Sequence, residues 1–263
     1  MQRITSHCCR TIFPPLRGSK IAAKFCVSQN GQISVTKETC YMCSQPKTSV
    51  EHVPPRCLFP QKKDLPEGVD LRKQLITVPS CDLHNSQKSK DDEYLLYTLL
   101  LNIPNNQTAE NYFFKKALRA IERNPSLIEG ITKTNMPVTA VDNVTGEVHR
   151  TIAVQIDEVR LHSSLQSIGY ALYYHHFGKP WSGTVQAYPH FLMHLTEPDA
   201  RDLNAPNERM QQCTELLMQQ CERFGENPEV FCYQLAEGND SVDMIMYLRI
   251  YEGSRATLMF KNG

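Results

Sequence analysis

Residues 40–55 read CYMCSQPKTSVEHVPP, and this stretch joins a pair of cysteines to a short β-like segment, SVEHV at 49–53. A second β-like segment, LITV at 75–78, follows a loop rich in proline and charged residues. The next residues, PSCDLHNSQKSKDDEYLLYTLLL, predict a helix, because Pro79 and Ser80 are start signals and leucines recur at helical spacing beyond them. We therefore expect the order strand, loop, strand, helix in this region.

Two pairs of candidate metal ligands occur here, each with two intervening residues: Cys40 with Cys43, and Cys81 with His84. That spacing lets one turn present two side chains to a single tetrahedral ion. Three cysteines and one histidine leave Zn²⁺ no open coordination position, so we expect a structural zinc site. Cys57 is an alternative ligand, and thiols buried without any metal are the other interpretation.

The adjacent residues Glu51 and His52 lie at the end of the first predicted strand, where neighbouring side chains point to opposite faces. One of them can hold a metal while the other contacts a water beside it. Asn85 follows His84 directly, so its amide oxygen is a candidate second ligand for a hard divalent cation such as Mg²⁺. A zinc ion nearby would set the distance between Asn85 and the two strand residues. Taken alone, Glu51 and His52 are typical of a structural salt-bridge pair.

The motifs CYMC, EHVPP and CDLHN, with Lys88 beyond them, resemble the zinc-bearing branch of the HNH endonucleases. The resemblance covers about residues 37–92 and rests on the order, spacing and residue types together. It implies a ββα-metal fold that hydrolyses phosphodiester bonds in DNA with a divalent metal. The roles it implies are general base for His52, catalytic-metal ligands for Glu51 and Asn85, and structural-zinc ligands for Cys40, Cys43, Cys81 and His84.

The chain departs from the usual HNH pattern at three places. His84 replaces the fourth cysteine, which zinc tolerates. No asparagine precedes LITV, where many members of the family have one that orients the base. Ser89 stands one helical turn beyond Asn85, where some members have a histidine, so the catalytic metal is expected to keep more waters.

The net charge of zero hides an asymmetry along the chain. Residues 1–90 carry 14 Lys and Arg against 6 Asp and Glu, whereas residues 91–263 carry 14 against 22. A basic front third suits a surface that faces phosphates, although a solubilising tail has the same composition. The candidate phosphate contacts are Lys47, Arg56, Lys88 and Lys90, with Lys62, Lys63, Arg72 and Lys73 as further basic residues. The three carboxylates of KDDE at 90–93 are expected on a solvated helix face, with a role as metal ligands as the alternative.

The predicted organisation has four parts. Residues 1–36 are a basic, loosely ordered segment, 37–95 the HNH-like ββα-metal domain, 96–135 a helical connector, and 136–263 an α+β domain of unassigned role. The fold class is therefore α+β, with a small zinc-bound module in front.

The elements expected behind the motif come from periodicity and turn signals. A helix over 108–123 is expected to be capped by Thr108, and a hairpin to turn at 143–146. Further on we expect helices at 156–177 and 205–224 and strands at 185–194, 229–235, 242–250 and 255–260.

The longest apolar run, YLLYTLLLNI at 94–103, falls short of the roughly 20 residues that cross a bilayer, so no membrane contact is expected. The patterned cysteines favour a reducing, cytoplasmic compartment. The first residues lack the apolar stretch of a secretory leader, and an organellar transit peptide or an over-extended start are alternatives for them.

The expected partner is DNA, with RNA as an alternative. The C-terminal domain is a candidate for homodimerisation or for binding a partner in a defence system. The alternative function is a non-catalytic zinc module that binds nucleic acid or a protein. A hydrolase centred on His175 and His176 is a further hypothesis, against the simpler interpretation that the surrounding aromatics form a core.

Overall fold

The computed structural model describes residues 38–85, 88–125, 135–141, 148–195 and 198–263. The segment predicted at 1–36 and the turn predicted at 143–146 lie outside the described residues. Residues Glu38–Gly263 form one compact unit. The boundaries predicted at 95 and 136 fall inside this unit and stay predictions.

The front of the unit is an antiparallel hairpin of β1 (Ser49–Val53) and β2 (Ile76–Ser80), so both predicted strands are confirmed. The predicted helix start is wrong, because Pro79 and Ser80 belong to β2. Their carbonyls accept hydrogen bonds from the backbone of Tyr41 and Thr48, each at 2.9 Å, which extends the strand.

The helix expected after β2 consists of two pieces, α1 (Asp82–Asn85) and α2 (Ser89–Leu100). The loop between β1 and β2 contains two short 3₁₀ helices, Arg56–Leu58 and Lys62–Asp64. The order strand, loop, strand, helix is thus present in the described residues.

The segment predicted as a helical connector, 96–135, includes α3 (Gln107–Tyr112), a π-helical turn (Phe113–Ala117) and α4 (Leu118–Arg123). The predicted cap at Thr108 is wrong, because the side chain of Asn106 accepts the hydrogen bond from the backbone of Ala109, at 3.1 Å. Thr108 lies inside the first turn. The predicted hairpin is formed by β3 (Met136–Val141) and β4 (Val148–Ala153), which pair antiparallel.

The back of the unit is a five-stranded antiparallel sheet in the order β5-β9-β8-β7-β6. Its strands are β5 (Thr184–Pro189), β6 (Phe224–Asn227), β7 (Phe231–Asn239), β8 (Val242–Ile250) and β9 (Ser254–Lys261). Two helices accompany the sheet, α5 (Glu158–Phe177) and α6 (Ala200–Met218). The α+β class is confirmed, while β5 is shorter and α6 begins and ends earlier than predicted.

Helix α5 joins the front hairpin to the back sheet. It contacts β1, β2 and α2 on one side and β5 and β9 on the other, and its residues Leu161, Leu165 and Leu172 are fully buried. A Cβ at Gly169 would lie 2.7 Å from Leu258 Cδ1, so glycine permits this close approach. Among the described residues, none of the helices has the length and apolar character needed to cross a membrane.

Candidate metal centre and nucleic-acid site

The ligand atoms of Cys40, Cys43, Cys81 and His84 all lie within 4.8 Å of one another. His84 Nδ1 is 3.4, 3.5 and 3.3 Å from the sulfurs of Cys40, Cys43 and Cys81, and the sulfurs of Cys43 and Cys81 are 3.9 Å apart. A tetrahedral zinc ion with ordinary bond lengths separates two sulfurs by about 3.8 Å and a sulfur from a nitrogen by about 3.6 Å. The four residues therefore have the spacing of a zinc site.

Local backbone structure brings these four ligands together. The amide of Cys40 donates to the carbonyl of Gln45 at 2.9 Å, which closes the turn that carries the first two cysteines. The amides of His84 and Asn85 both donate to the carbonyl of Cys81 at 3.0 Å, so the first turn of α1 folds His84 back over that cysteine.

Cys57, the alternative ligand, is not part of this group. Its thiol donates instead to the carbonyl of Asp92, at 3.4 Å. The group that could hold a metal such as zinc therefore consists of Cys40, Cys43, Cys81 and His84, the four residues that the spacing predicted.

Glu51 is buried, and its carboxylate has a cationic partner. Lys88 Nζ lies 2.5 Å from Glu51 Oε1 and also donates to the hydroxyl of Tyr41 at 3.5 Å, while Ser80 Oγ donates to Oε2 at 3.5 Å. Burial raises the pKa of Tyr41, and the Glu51 carboxylate raises it further. Lys88, which the sequence offered as a phosphate contact, is therefore engaged inside the protein.

Asn85 lies on the Glu51 side of the hairpin. Its amide nitrogen donates to Ser49 Oγ at 2.8 Å, and Ser49 shares a face of β1 with Glu51. The amide oxygen of Asn85 is thus the atom left to act as a ligand. The side chain of Ser89 lies outside the described part of the structure.

Asp92, one of the three KDDE carboxylates, is less exposed to solvent than the sequence predicted. The solvated helix face predicted for KDDE is wrong at this position, because one oxygen of Asp92 is buried and has no hydrogen-bond partner among the described residues. Burial raises the pKa of Asp92 to about 6, and Glu51 and Asp91 act in the same direction while Lys88 opposes them. Since Asp92 follows Lys88 by one helical turn, its position could have been suspected from the spacing alone.

His52 lies on the opposite face of β1 from Glu51, as the alternation of a strand requires. The ring is half-buried and, within the described ranges, makes no hydrogen bond to protein. Burial lowers the pKa of His52, Arg56 and Arg72 lower it further, and Glu51 opposes them. A neutral imidazole in this position can accept a proton from a neighbouring molecule.

The other predicted phosphate contacts differ in their surroundings. Lys47 pairs with Glu38 at 2.5 Å, so its charge is neutralised. Arg56 is exposed beside His52, and Lys90 is exposed near the start of α2. Arg56 is therefore the one of these three that faces solvent close to the candidate base.

His175 and His176 end α5 in an aromatic cluster far along the chain from His52. His176 Nε2 is 2.9 Å from the hydroxyl of Tyr233, and its ring packs edge-on against Phe224 at 4.9 Å. Burial lowers the pKa of His176 to about 4, and His175 adds to this. His176 is thus a half-buried side chain engaged by Tyr233 and Phe224, whereas His175 is exposed.

The structure brings the four Cys/His residues together and holds Glu51 and Asn85 on one side of the hairpin, with His52 on the other. The catalytic roles of these three residues stay predictions. No protein-family model, no curated protein and no solved structure matches this chain.

Proposed function

We propose that this protein is an HNH-type endonuclease that uses a divalent metal to hydrolyse phosphodiester bonds in DNA. The observation that carries the proposal is the position of His52. Its ring lies on the outer face of a hairpin that the Cys/His cluster ties to α1, beside Arg56, and forms no hydrogen bond to the described protein. A free imidazole next to a cation suits a base that acts on a water at a phosphate.

Zinc would have a structural role in this enzyme. Cys40, Cys43, Cys81 and His84 supply all four ligands, so no position is left for substrate or water. The ion would hold the turn before β1 against the start of α1. It would thereby fix the position of His52 relative to Asn85.

The protein groups have distinct tasks in the proposed reaction. His52 takes a proton from the attacking water, and the guanidinium of Arg56 binds phosphate oxygens. General-base catalysis typically supplies about 10²- to 10⁴-fold in rate. Most of the acceleration must then come from positioning and from stabilisation of charge on the phosphate.

A catalytic cation such as Mg²⁺ would be held by Glu51 and Asn85. When bound, such a cation stabilises negative charge on the phosphate and on the leaving oxygen. The donors suit a hard cation, since they are a carboxylate and an amide oxygen on the same side of the hairpin. Glu51 could take this role only if Lys88 moved away from Oε1.

The alternative function is a zinc module without catalysis that binds nucleic acid or a protein. The ion pair of Glu51 with Lys88 favours it, because a buried carboxylate with a protein cation can have a purely structural role. In that case His52 would be a surface side chain with no chemical task.

Incubation of plasmid DNA with the purified protein and Mg²⁺, Mn²⁺ or Ni²⁺ tests the proposal. We expect nicked or linear products that disappear when a chelator is present, and a parallel RNA substrate establishes which nucleic acid is preferred. Zinc must be measured after the chelator step, since loss of the structural ion would also abolish cleavage. If protein that retains its zinc leaves the plasmid intact with every metal, the nuclease proposal is contradicted and the non-catalytic zinc module is favoured.

A further inference from the structure

Three distant parts of the chain hold the 3₁₀ turn that follows His52. The hydroxyl of Tyr112 donates to the carbonyl of Cys57 at 2.8 Å, and the hydroxyl of Tyr251 donates to the carbonyl of Leu58. Arg72 donates from Nε and Nη2 to the carbonyl of Phe59, at 2.9 and 2.7 Å. Three consecutive carbonyls are thus fixed by side chains, so the turn is a rigid platform.

Two cations are fixed to this platform. Arg72 uses Nε and Nη2 to bind Phe59, which leaves Nη1 as the nitrogen not used in that contact. Lys116, on the π-helical turn, donates to the hydroxyl of Tyr112 at 3.1 Å and lies 5.2 Å from the centre of that ring. Tyr112 in turn donates to the carbonyl of Cys57, so Lys116 is linked to Cys57 through Tyr112. Arg72 binds the carbonyl of Phe59, two residues further along the turn.

The side chains of Arg72 and Lys116 form no ion pair in the described ranges. Within these ranges, Asp70 accepts a hydrogen bond only from the backbone amide of Arg72, at 3.0 Å, and Asp64 acts on Lys116 without pairing with it. Both cations are half-buried. Burial lowers the pKa of Lys116, and Arg72 and Lys63 lower it further, whereas Asp64 opposes them. Half-buried cations that repel one another are costly to hold together unless an anion joins them.

The anion that fits is a phosphate of a nucleic-acid strand. Arg72 acts electrostatically on His52 as well as on Lys116, so Arg72 lies close enough to both to link Lys116 with the candidate base. A guanidinium and an ammonium that are already fixed in place bind phosphate oxygens with little loss of side-chain freedom. Arg56, the first residue of the turn, is exposed and, like Arg72, acts electrostatically on His52.

We propose that Arg72 and Lys116 form a phosphate-binding subsite for the DNA strand next to His52. The π-helical turn that carries Lys116 would then take part in substrate binding. This inference rests on the proposed nuclease function. It assigns to residue 116, outside the HNH-like segment, a contact with a phosphate that flanks the scissile one.

Fluorescence anisotropy with a short labelled DNA duplex tests the subsite on the full, zinc-loaded chain. Divalent cations other than zinc are left out so that binding is measured without cleavage. The variants are Lys116→Met, which keeps the packed stem, and Lys116→Arg, which keeps the charge. Lys115→Met is the matched control, because Lys115 is an exposed neighbour whose side chain donates a hydrogen bond to the carbonyl of Asp64, at 3.5 Å.

We expect Lys116→Met to weaken binding roughly 3- to 10-fold at moderate salt and to reduce the slope of log affinity against log salt by about 1. Lys116→Arg should bind like the parent, and Lys115→Met should bind within about twofold of it, since it loses no fixed phosphate contact. Zinc content and melting temperature establish that each variant is folded.

Equal affinity and equal salt slope for Lys116→Met and the parent would overturn the subsite, even if the parent cleaves DNA. A parent that binds DNA with the expected dependence on Lys116 but never cleaves it would support the subsite and contradict the nuclease. A parent that does not bind DNA would overturn both.

Discussion

The ammonium of Lys88 lies 2.5 Å from Oε1 of Glu51, and the two side chains are only 15% and 8% exposed. The carboxylate that the proposal assigns to a divalent cation therefore already has a cation beside it. A divalent cation and Lys88 would compete for the same oxygen. Removal of the lysine separates a catalytic role of Glu51 from a structural one.

Lys88→Ala should destabilise the protein by about 3–5 kcal/mol in the absence of divalent cations, because Glu51 is left as an unpaired buried charge. If Glu51 is a metal ligand, Mg²⁺ or Mn²⁺ should then raise the melting temperature of the variant more than that of the parent, since binding to the folded state stabilises it. Thermal unfolding with and without the cation measures this difference.

Lys90→Ala is the control for that experiment, because Lys90 is an exposed lysine two residues further on. It should change neither the stability nor the response to the cation. A folded Lys88→Ala protein that does not respond to either cation would remove Glu51 from the proposed catalytic site.

Cys81→Ser should lose the zinc ion and lower the melting temperature by roughly 10 °C or more. Loss of a structural metal costs more than about 4 kcal/mol, and each kcal/mol corresponds to about 2–4 °C in a chain of this size. Because α5 packs against both the hairpin and the back sheet, we expect the destabilisation to reach beyond the front of the unit. Metal analysis and calorimetry check the two effects.

Cys57→Ser provides the matched comparison, since Cys57 lies outside the ligand group. It should retain one zinc per chain. Retention of zinc by Cys81→Ser, or its loss from Cys57→Ser, would mean that the ligand set is wrong.

His176 should lower the stability of the protein between about pH 6.5 and pH 4, while Asp92, whose pKa burial raises to about 6, should offset part of this loss below about pH 6. The folded-state pKa of His176, about 4, lies below the ordinary value of 6.5, so the unfolded chain takes up the proton first as the pH falls. One such group contributes a slope of up to about 1.4 kcal/mol per pH unit, and the slope vanishes above and below this window.

His176→Phe should flatten this slope while it lowers stability near pH 7.5 by about 1–3 kcal/mol, because the hydroxyl of Tyr233 loses its partner. Denaturant unfolding at a series of pH values measures both changes. His175 and His190, whose pKa values burial also lowers, should leave part of the slope. An unchanged slope in the variant would show that His176 does not titrate in this window.

The Cys/His cluster and the first hairpin could be predicted because their signals are local. Cys40 and Cys43 share one turn. The five consecutive residues of β1 alone determine that the side chains of Glu51 and His52 point to opposite faces. The predicted start of the helix is wrong because Pro79 and Ser80, judged from their neighbours in sequence alone, are typical of a helix N-terminus. The pairing of Ser80 with Ser49, 31 residues away, makes them part of a strand instead.

The electrostatic partners of the site could not be read from sequence. Lys88 and Glu51 are 37 residues apart, and Tyr112 reaches Cys57 over 55 residues, so no periodicity links them. For the same reason the sequence does not indicate that Lys116 lies near the 3₁₀ turn, to which it is linked through the hydroxyl of Tyr112. Strand β6 was missed because the sequence of its four residues, FGEN, contains little that is typical of a strand.

The most direct test of the nuclease proposal is the cleavage rate of His52→Ala under single-turnover conditions, at several concentrations of Mg²⁺ or Mn²⁺. We predict a loss of at least about 10²-fold that no concentration of metal restores, with zinc content and DNA affinity unchanged, because only proton removal is lost. Asn85→Ala, measured alongside, should be partly rescued by more metal, since it weakens a ligand. A His52→Ala protein that cleaves as fast as the parent would contradict the assignment of His52 as the general base.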